Sequence, residues 1–262
     1  MADERFAAAA PAAAHLFVAA LEPMITVDGP DGHHLQRVRR LRIGEHVTAA
    51  DGSGRWRRYV IAGVEPGQLV LEAASDVVVE PEPSPAVVVA VALTKGTKLE
   101  TVVAQLTELG VARIEPVHSR RSVVRWDKAR AVAMGARLAT VAREAAMQCR
   151  RARIPVVAPV SDLSSLAGRP GIVVAARDGG PAEAIPIPPA GTWTVVVGPE
   201  GGFDPEEVEA LAPTGLLALS PYVLRAQTAP LIAAGLLVAR GLRGPDVACD
   251  APITLCESPR EA

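Results

Sequence analysis

Trp193-Thr-Val-Val-Val-Gly-Pro-Glu-Gly-Gly-Phe-Asp-Pro-Glu-Glu207, followed by Leu216-Leu-Ala-Leu-Ser-Pro-Tyr-Val-Leu-Arg-Ala-Gln-Thr228, decides the fold. The β-branched run Thr194 to Val197 predicts a buried strand, and Gly198-Pro199-Glu200-Gly201-Gly202 forces an abrupt turn after it. A helix must follow, with Asp204 at the N-cap, Pro205 at N1 and Glu207 at the N3 position of a capping box. Such a turn presents free backbone N–H groups at a helix start, and its glycines let a ligand lie against the main chain. A second apolar strand, Leu216 to Leu219, ends in another tight turn at Ser220-Pro221, so two strand ends are expected to face one pocket.

Working outward, strands and helices alternate. Ala86 to Leu93 is continuously apolar, as a strand covered on both faces of a parallel sheet must be. The spacing of Leu99, Val102, Val103, Leu106 and Leu109 predicts a helix opened by a Thr97/Glu100 capping box and closed by Gly110. Ala112 to Val117 is the next strand, and a long helix runs from about Asp127 to Arg150. Strands at Ile154 to Ala158 and Gly171 to Ala176 bracket a short helix at Ser161 to Ala167, and an apolar helix runs from Thr228 as N-cap to Gly241 as stop. This alternation alone predicts an α/β domain with a doubly wound, mostly parallel sheet. Nearer the start, a strand at His15, a short helix over Asp31 to Val38 and strands at His46 to Ala50, Arg57 to Ala62 and Gln68 to Ala73 have the spacing of a small barrel. The expected organisation is a frayed extension over 1–14, the barrel over 15–80, a Pro-rich linker over 81–85, the α/β domain over 86–244 and a tail over 245–262.

The chain has 262 residues, 49% of them hydrophobic, and no signal peptide or membrane span is expected. Its three cysteines, with no C-x-x-C spacing, speak against a disulfide framework or a zinc site and for a reducing cytoplasm. No carboxylate or cysteine stands at ligand spacing from His33 and His34, so no metal site is expected. A net charge of −2 argues against a nucleic-acid protein until its distribution is considered. Seven arginines between 37 and 58 face two acids, and eleven Lys/Arg between 113 and 153 face three. Two basic surfaces on an otherwise acidic body suit phosphate contact, with Arg37, Arg39, Arg40, Arg42, Arg120, Arg121 and Arg125 as the candidates for RNA binding.

The pairing of GPEGG with the later Leu-Ser-Pro-x-Val-Leu-Arg-x-x-Thr stretch resembles the signature of the RsmE-type 16S ribosomal RNA uracil-N3 methyltransferases of the SPOUT superfamily. Further matches are His34-Leu-x-Arg37-Val-x-Arg-Leu-Arg42-x-Gly44, Lys95-Gly-x-Lys98, His118-Ser-Arg-Arg-Ser-Val-Val-Arg-Trp126 and Arg143-Glu-Ala-Ala-Met-Gln-Cys-Arg-Arg-Ala-Arg-Ile-Pro155. Departures are Arg120 and Met147 where the family carries Glu, Arg150 where it carries Gly, and Ser220, Ala226 and Gln227 for its usual Gly, Thr and Glu. The resemblance implies a trefoil-knotted sheet with a PUA-like barrel, a homodimer, and S-adenosylmethionine held by Gly198, Pro199, Glu200, Gly201, Gly202, Leu219, Ser220, Val223, Leu224 and Thr228. Arg225 is the candidate catalytic residue, since a guanidinium can stabilise charge on a deprotonated uracil, and Glu144 is a candidate proton acceptor.

Three readings compete: a methyltransferase acting on 16S rRNA in the small subunit, an inactive RNA-binding or ribosome-assembly protein of the same fold, and a Rossmann-type nucleotide enzyme. No G-x-G-x-x-G follows the first strand of the α/β domain, which weighs against the third.

Overall fold

The computed structural model describes residues 6–29, 41–95, 98–189 and 191–243. Its strands are β1 (Ala14–Phe17), β2 (Met24–Val27), β3 (His46–Ala50), β4 (Arg55–Glu65), β5 (Gln68–Ala73), β6 (Val78–Val79), β7 (Ala86–Ala92), β8 (Arg113–His118), β9 (Val156–Val157), β10 (Ser161–Asp162), β11 (Ile172–Gly180), β12 (Thr192–Val197) and β13 (Gly215–Leu217). Its described α-helices are α1 (Leu99–Glu108), α2 (Lys128–Gln148), α3 (Pro205–Leu211) and α4 (Ala229–Arg243).

The strands form two sheets. The first has the order β1-β3-β4-β5-β2, with β6 on β4, and closes over Leu16, Val47, Tyr59, Ile61, Leu69 and Leu71. The second has the order β10-β8-β7-β12-β11-β13, with β9 also on β8, and every pairing in it is parallel. Alternation of side chains explains its two-sided burial. Val87, Val89, Val91, Trp193, Val195 and Val197 pack under α1, α2 and α4, while Ala90, Ala92, Val174 and Val196 face the 163–166 turn and α3. Trp193, fully buried, donates its indole N–H to the Pro186 carbonyl at 2.8 Å and so fixes the proline loop beneath α4.

Several elements differ from expectation for identifiable reasons. Residues 6–13 are held instead of fraying: Ala7 is buried and donates to the Glu80 carboxylate at 2.9 Å. Pro155 and Pro159 cannot donate to a ladder, so the strand expected over 154–158 is reduced to the short edge piece β9. Ser161 and Asp162 join that edge, and only Leu163–Leu166 form a helical turn. α1 begins after Lys98 without a side-chain cap from that residue, and the expected Thr97/Glu100 box falls on Thr97, which lies outside the described residues. Gly241 does not stop α4, which continues to Arg243. Gly241 packs beside Pro85 and Trp193, where a Cβ would make only ordinary contacts, the nearest 3.5 Å from the Pro85 carbonyl. The expected helix over Asp31 to Val38 lies outside the described residues.

The two sheets are joined by a polar seam at residues 150–154. Ile154 N–H donates to Gly52 O at 3.0 Å, and Gly54 N–H to Ala152 O at 3.1 Å. The Arg153 guanidinium donates to the Ser53 and Glu80 carbonyls, the latter at 2.9 Å, in space that any Cβ at Gly54 would occupy. Arg150, the first residue past the C-cap of α2, has a φ of 60°, the left-handed conformation that glycine usually supplies. Its guanidinium reaches the Ala12 carbonyl at 2.8 Å, and Met147 packs against the apolar cluster of Ala7, Phe17, Ala50 and Trp56. Both departures from the family pattern near the end of α2 therefore serve this seam.

Candidate functional site

The site lies at the C-terminal edge of the parallel sheet. β12 pairs with β7 up to Val197↔Val91, and β11 pairs with both β12 and β13, so the turns after Val197 and Leu217 leave the same edge one strand apart. At the usual strand spacing this separation is about 10 Å. β11 closes tightly on the second turn: a Cβ at Gly179 would lie 2.6 Å from Ala218 N, and Ala218 N–H donates to Gly180 O at 2.9 Å.

Backbone forms the walls of the first turn. Gly202 has a φ of +69° and donates to Pro199 O at 2.8 Å. Gly198 lies against the Phe203 ring, which a Cβ would meet at 3.2 Å, whereas a Cβ at Gly201 would come no closer than 3.6 Å to any neighbour. Asp204 N–H donates to Glu207 Oε2 at 3.0 Å, completing the expected cap of α3. In the second turn Ser220 Oγ accepts from Tyr222 N–H at 3.0 Å, Leu219 packs on the core, and Tyr222 and Val223 are 81% and 84% exposed. The Arg225 carbonyl accepts from Thr228 and Ala229 at 2.8 and 3.1 Å, starting α4, while its side chain is exposed and makes no ion pair among the described residues.

A third loop, 119–122, was not assigned to this site from sequence. Its ends are fixed by the buried Ser119 and Ser122, whose hydroxyls lie 3.0 Å apart. Arg121 donates to Gly201 O at 2.7 Å and pairs with Asp204 at 2.5 Å, while Arg120 pairs with Glu206 at 2.5 Å and donates its N–H to Glu207 at 2.8 Å. Two arginines expected on RNA are thus engaged in holding the glycine turn. The only signal in the sequence was the Ser-x-x-Ser frame around them.

The other expected residues are scattered. Arg37, Arg39 and Arg40 lie outside the described residues; Arg42 is exposed at a turn where its N–H donates to Glu45 at 2.6 Å. Arg125 is exposed and unpaired among the described residues, in a cleft with His118, whose Nδ1 is buried without a described partner. Glu144 is exposed far along α2, about 24 Å from the helix start at 1.5 Å per residue. That end of α2 meets the first sheet, where the Arg143 guanidinium lies 5.6 Å from the Phe17 ring centre. One chain therefore does not bring Glu144 to the edge that carries Arg225.

S-adenosylmethionine fits the two turns. Its adenosine and amino-acid parts require backbone donors and acceptors with little side-chain bulk, which Gly198, Gly201 and Gly202 provide, and the partly buried Leu219 and Leu224 offer apolar surface. Among the described residues no helix is long and apolar enough to cross a membrane.

Comparison with known proteins agrees with this geometry. The family described as RNA methyltransferase domain matches residues 80–238, and the RNA methyltransferase PUA domain matches residues 27–73. Proteins named ribosomal RNA small subunit methyltransferase E are similar: that of Mycobacterium bovis is 37% identical over 220 residues, covering 80% of this chain and 84% of its own. That of Bacillus subtilis is 30% identical over 228 residues, covering 80% and 88%. The Neisseria gonorrhoeae enzyme of that name, solved bound to S-adenosyl methionine, superposes with a TM-score of 0.69 at 28% identity, over 85% of this chain and 95% of that one. A putative methyltransferase from Legionella pneumophila, in complex with the same cofactor, gives 0.72 at 26% identity, over 86% and 97%. Together with a parallel sheet whose two glycine-bearing and arginine-bearing turns share one edge, these matches show that the chain belongs to the ribosomal RNA small subunit methyltransferase E family.

Proposed function

We propose that this protein transfers a methyl group from S-adenosylmethionine to N3 of a uridine in the 16S RNA of the small ribosomal subunit, acting in the cytoplasm as a homodimer. The observation that carries this reading is the pair of turns after β12 and β13, which combine a backbone-walled crevice with an exposed guanidinium at Arg225 that makes no ion pair among the described residues. The bound donor supplies an electrophilic methyl on a sulfonium. The chain must then make a poor nucleophile competent, because uridine N3 carries a proton. Deprotonation spreads negative charge over the two flanking carbonyl oxygens, and Arg225, permanently cationic, stabilises that charge and holds the base in line. Glu144 can accept the proton only if a partner subunit presents it, since its own chain holds it far from this edge. Exposed Tyr222, Val223, Ile232 and Leu242 supply apolar surface for such a dimer, and the trefoil path of residues 198–228 belongs to the same proposal.

A reading without catalysis draws on the departures from the family pattern at Met147, Ala226 and Gln227. Met147 has a packing role in the seam between the sheets, so its change from Glu needs no loss of chemistry to explain it. The test is incubation with small subunits lacking the mark, followed by mass-spectrometric mapping. A methylated uridine at N3 is the expected result, and S-adenosylmethionine binding without transfer would favour the inactive protein.

A further inference from the structure

Of the eleven Lys/Arg between 113 and 153, eight are engaged within the chain: Arg113, Arg120, Arg121 and Arg137 in ion pairs, Arg143 on Phe17, and Arg150, Arg151 and Arg153 on backbone carbonyls. The three without a described side-chain partner, Arg125, Lys128 and Arg130, flank Trp126 in the sequence, and Arg130 shares a pocket with it. Trp126 is itself distinctive among only three tryptophans. Trp56 and Trp193 are 4% and 0% exposed in their cores, whereas Trp126 is half-buried and lines a pocket of about 350 Å³.

That pocket has an apolar base of Leu93, Leu99 and Val124, with Lys95 and Arg130 as cations at its walls. Its one carboxylate, Glu100, is neutralised by Arg137 at 3.0 Å. Leu93 N–H donates to Val117 O at 2.9 Å, and Val91 pairs with Val197, so Leu93-Thr94-Lys95 leave the sheet beside the Gly198-Pro199 turn. On the other side of the same loop, Arg125 opens on the neighbouring cleft.

We infer that the Lys95–Trp126–Arg130 pocket receives a nucleobase extruded from the RNA, stacked on the Trp126 indole, with Lys95, Arg125 and Arg130 meeting the flanking phosphates. This deepens the reading proposed above and rests on it. A methyl acceptor buried in a stack cannot reach a donor in a crevice, so a base must leave the helix, and an aromatic face with adjacent cations is what holds an unstacked nucleotide. The volume falls in the range of about 300–1,000 Å³ usual for small-ligand sites.

The test measures steady-state methyl transfer to small subunits lacking the mark, and calorimetric S-adenosylmethionine affinity, for wild type, Trp126→Ala, Trp126→Phe and Arg130→Gln. Trp126→Ala should lower kcat/KM for the RNA at least about tenfold, and Trp126→Phe, which keeps a stacking face, should recover most of it. Arg130→Gln should lower it several-fold and reduce its dependence on salt, and donor affinity should stay within twofold in all three variants. Wild-type kcat/KM in a folded Trp126→Ala would overturn the pocket assignment while leaving the methyltransferase reading intact. Equal losses in the Ala and Phe variants would also overturn it, as would parallel loss of donor binding, which would place the donor there. A wild-type protein that transfers no methyl group would instead remove the reading on which the inference rests.

Discussion

Replacing His15 should remove a specific part of the protein's acid sensitivity. His15 is 4% exposed on β1, at the seam with the second sheet, and burial lowers its pKa from 6.5 to about 4; the nearby Arg150 charge acts in the same direction, and the hydrogen bond to Arg151 opposes both. Its neutral ring is fully used: Nε2–H donates to the Arg151 carbonyl at 3.2 Å, and Nδ1 accepts from the Thr48 hydroxyl at 2.8 Å. Since the folded pKa lies below the unfolded value, the fold favours the neutral ring. Stability from this group is fully present above pH 6.5 and is lost as pH falls toward 4. At roughly 1.4 kcal/mol per tenfold, the full loss is about 3 kcal/mol, and the part lost between pH 7 and pH 5 is about 2 kcal/mol. Glu80 in the same seam acts with the opposite sign. Burial raises its pKa despite hydrogen bonds from Ala7 and Ala152, so protonation at low pH relieves the fold. Urea unfolding of wild type and His15→Gln at pH 7 and pH 5 isolates the histidine, because Glu80 and every other carboxylate are common to both. Wild type should lose about 2 kcal/mol more than the variant over that interval. Equal losses would refute the argument, and would mean that protonated His15 finds a partner in the fold.

Arg225→Ala should lose about a hundredfold in methyl transfer rate with donor affinity and melting temperature unchanged; a joint loss of stability and donor binding would make the residue a structural clamp. Gly202→Val should cost about 1–3 kcal/mol in a urea titration because of the +69° φ. Gly201→Val has steric room, so it should fold as wild type yet bind S-adenosylmethionine poorly by calorimetry. Arg125→Gln should reduce the slope of RNA affinity against salt by about 0.7–0.9, while Arg120→Gln, whose cation already pairs with Glu206, should leave it unchanged. Arg150→Gly should be about 1 kcal/mol more stable than Arg150→Ala, since both forfeit the bond to Ala12 and only glycine adopts a φ of 60° without strain.

The α/β architecture was legible because its strands are buried on both faces. Val87 to Val91 reads as a continuous apolar run and Thr194 to Val197 as a β-branched one, which few other settings produce. Short edge pieces were not legible: β2 lies at the end of its sheet and mixes exposed with buried residues, and β6 is two residues long, so neither carries a periodic signal. The glycine turn and the cap of α3 could be read from local chemistry, since GPEGG, Asp204 and Glu207 act within a few residues of one another.

What the sequence could not reveal was where each cation of a basic run is used. Counting charges between 113 and 153 gives one surface, but the side chains reach different places. Near the end of α2, Arg150 and Arg153 bond carbonyls across the seam and Arg151 bonds the Thr107 carbonyl at the end of α1; those just after Ser119 hold the turn at Gly201; those flanking Trp126 in sequence have no side-chain partner among the described residues. The distinction arises from long-range contacts, 80 residues apart for Arg121 and Gly201 and 138 for Arg150 and Ala12, which local patterning does not encode. It also changes the electrostatic argument. A guanidinium already paired with Glu206 or Asp204 releases few counterions when RNA arrives, so the salt dependence of binding should follow the unpaired cations rather than the total charge of the run.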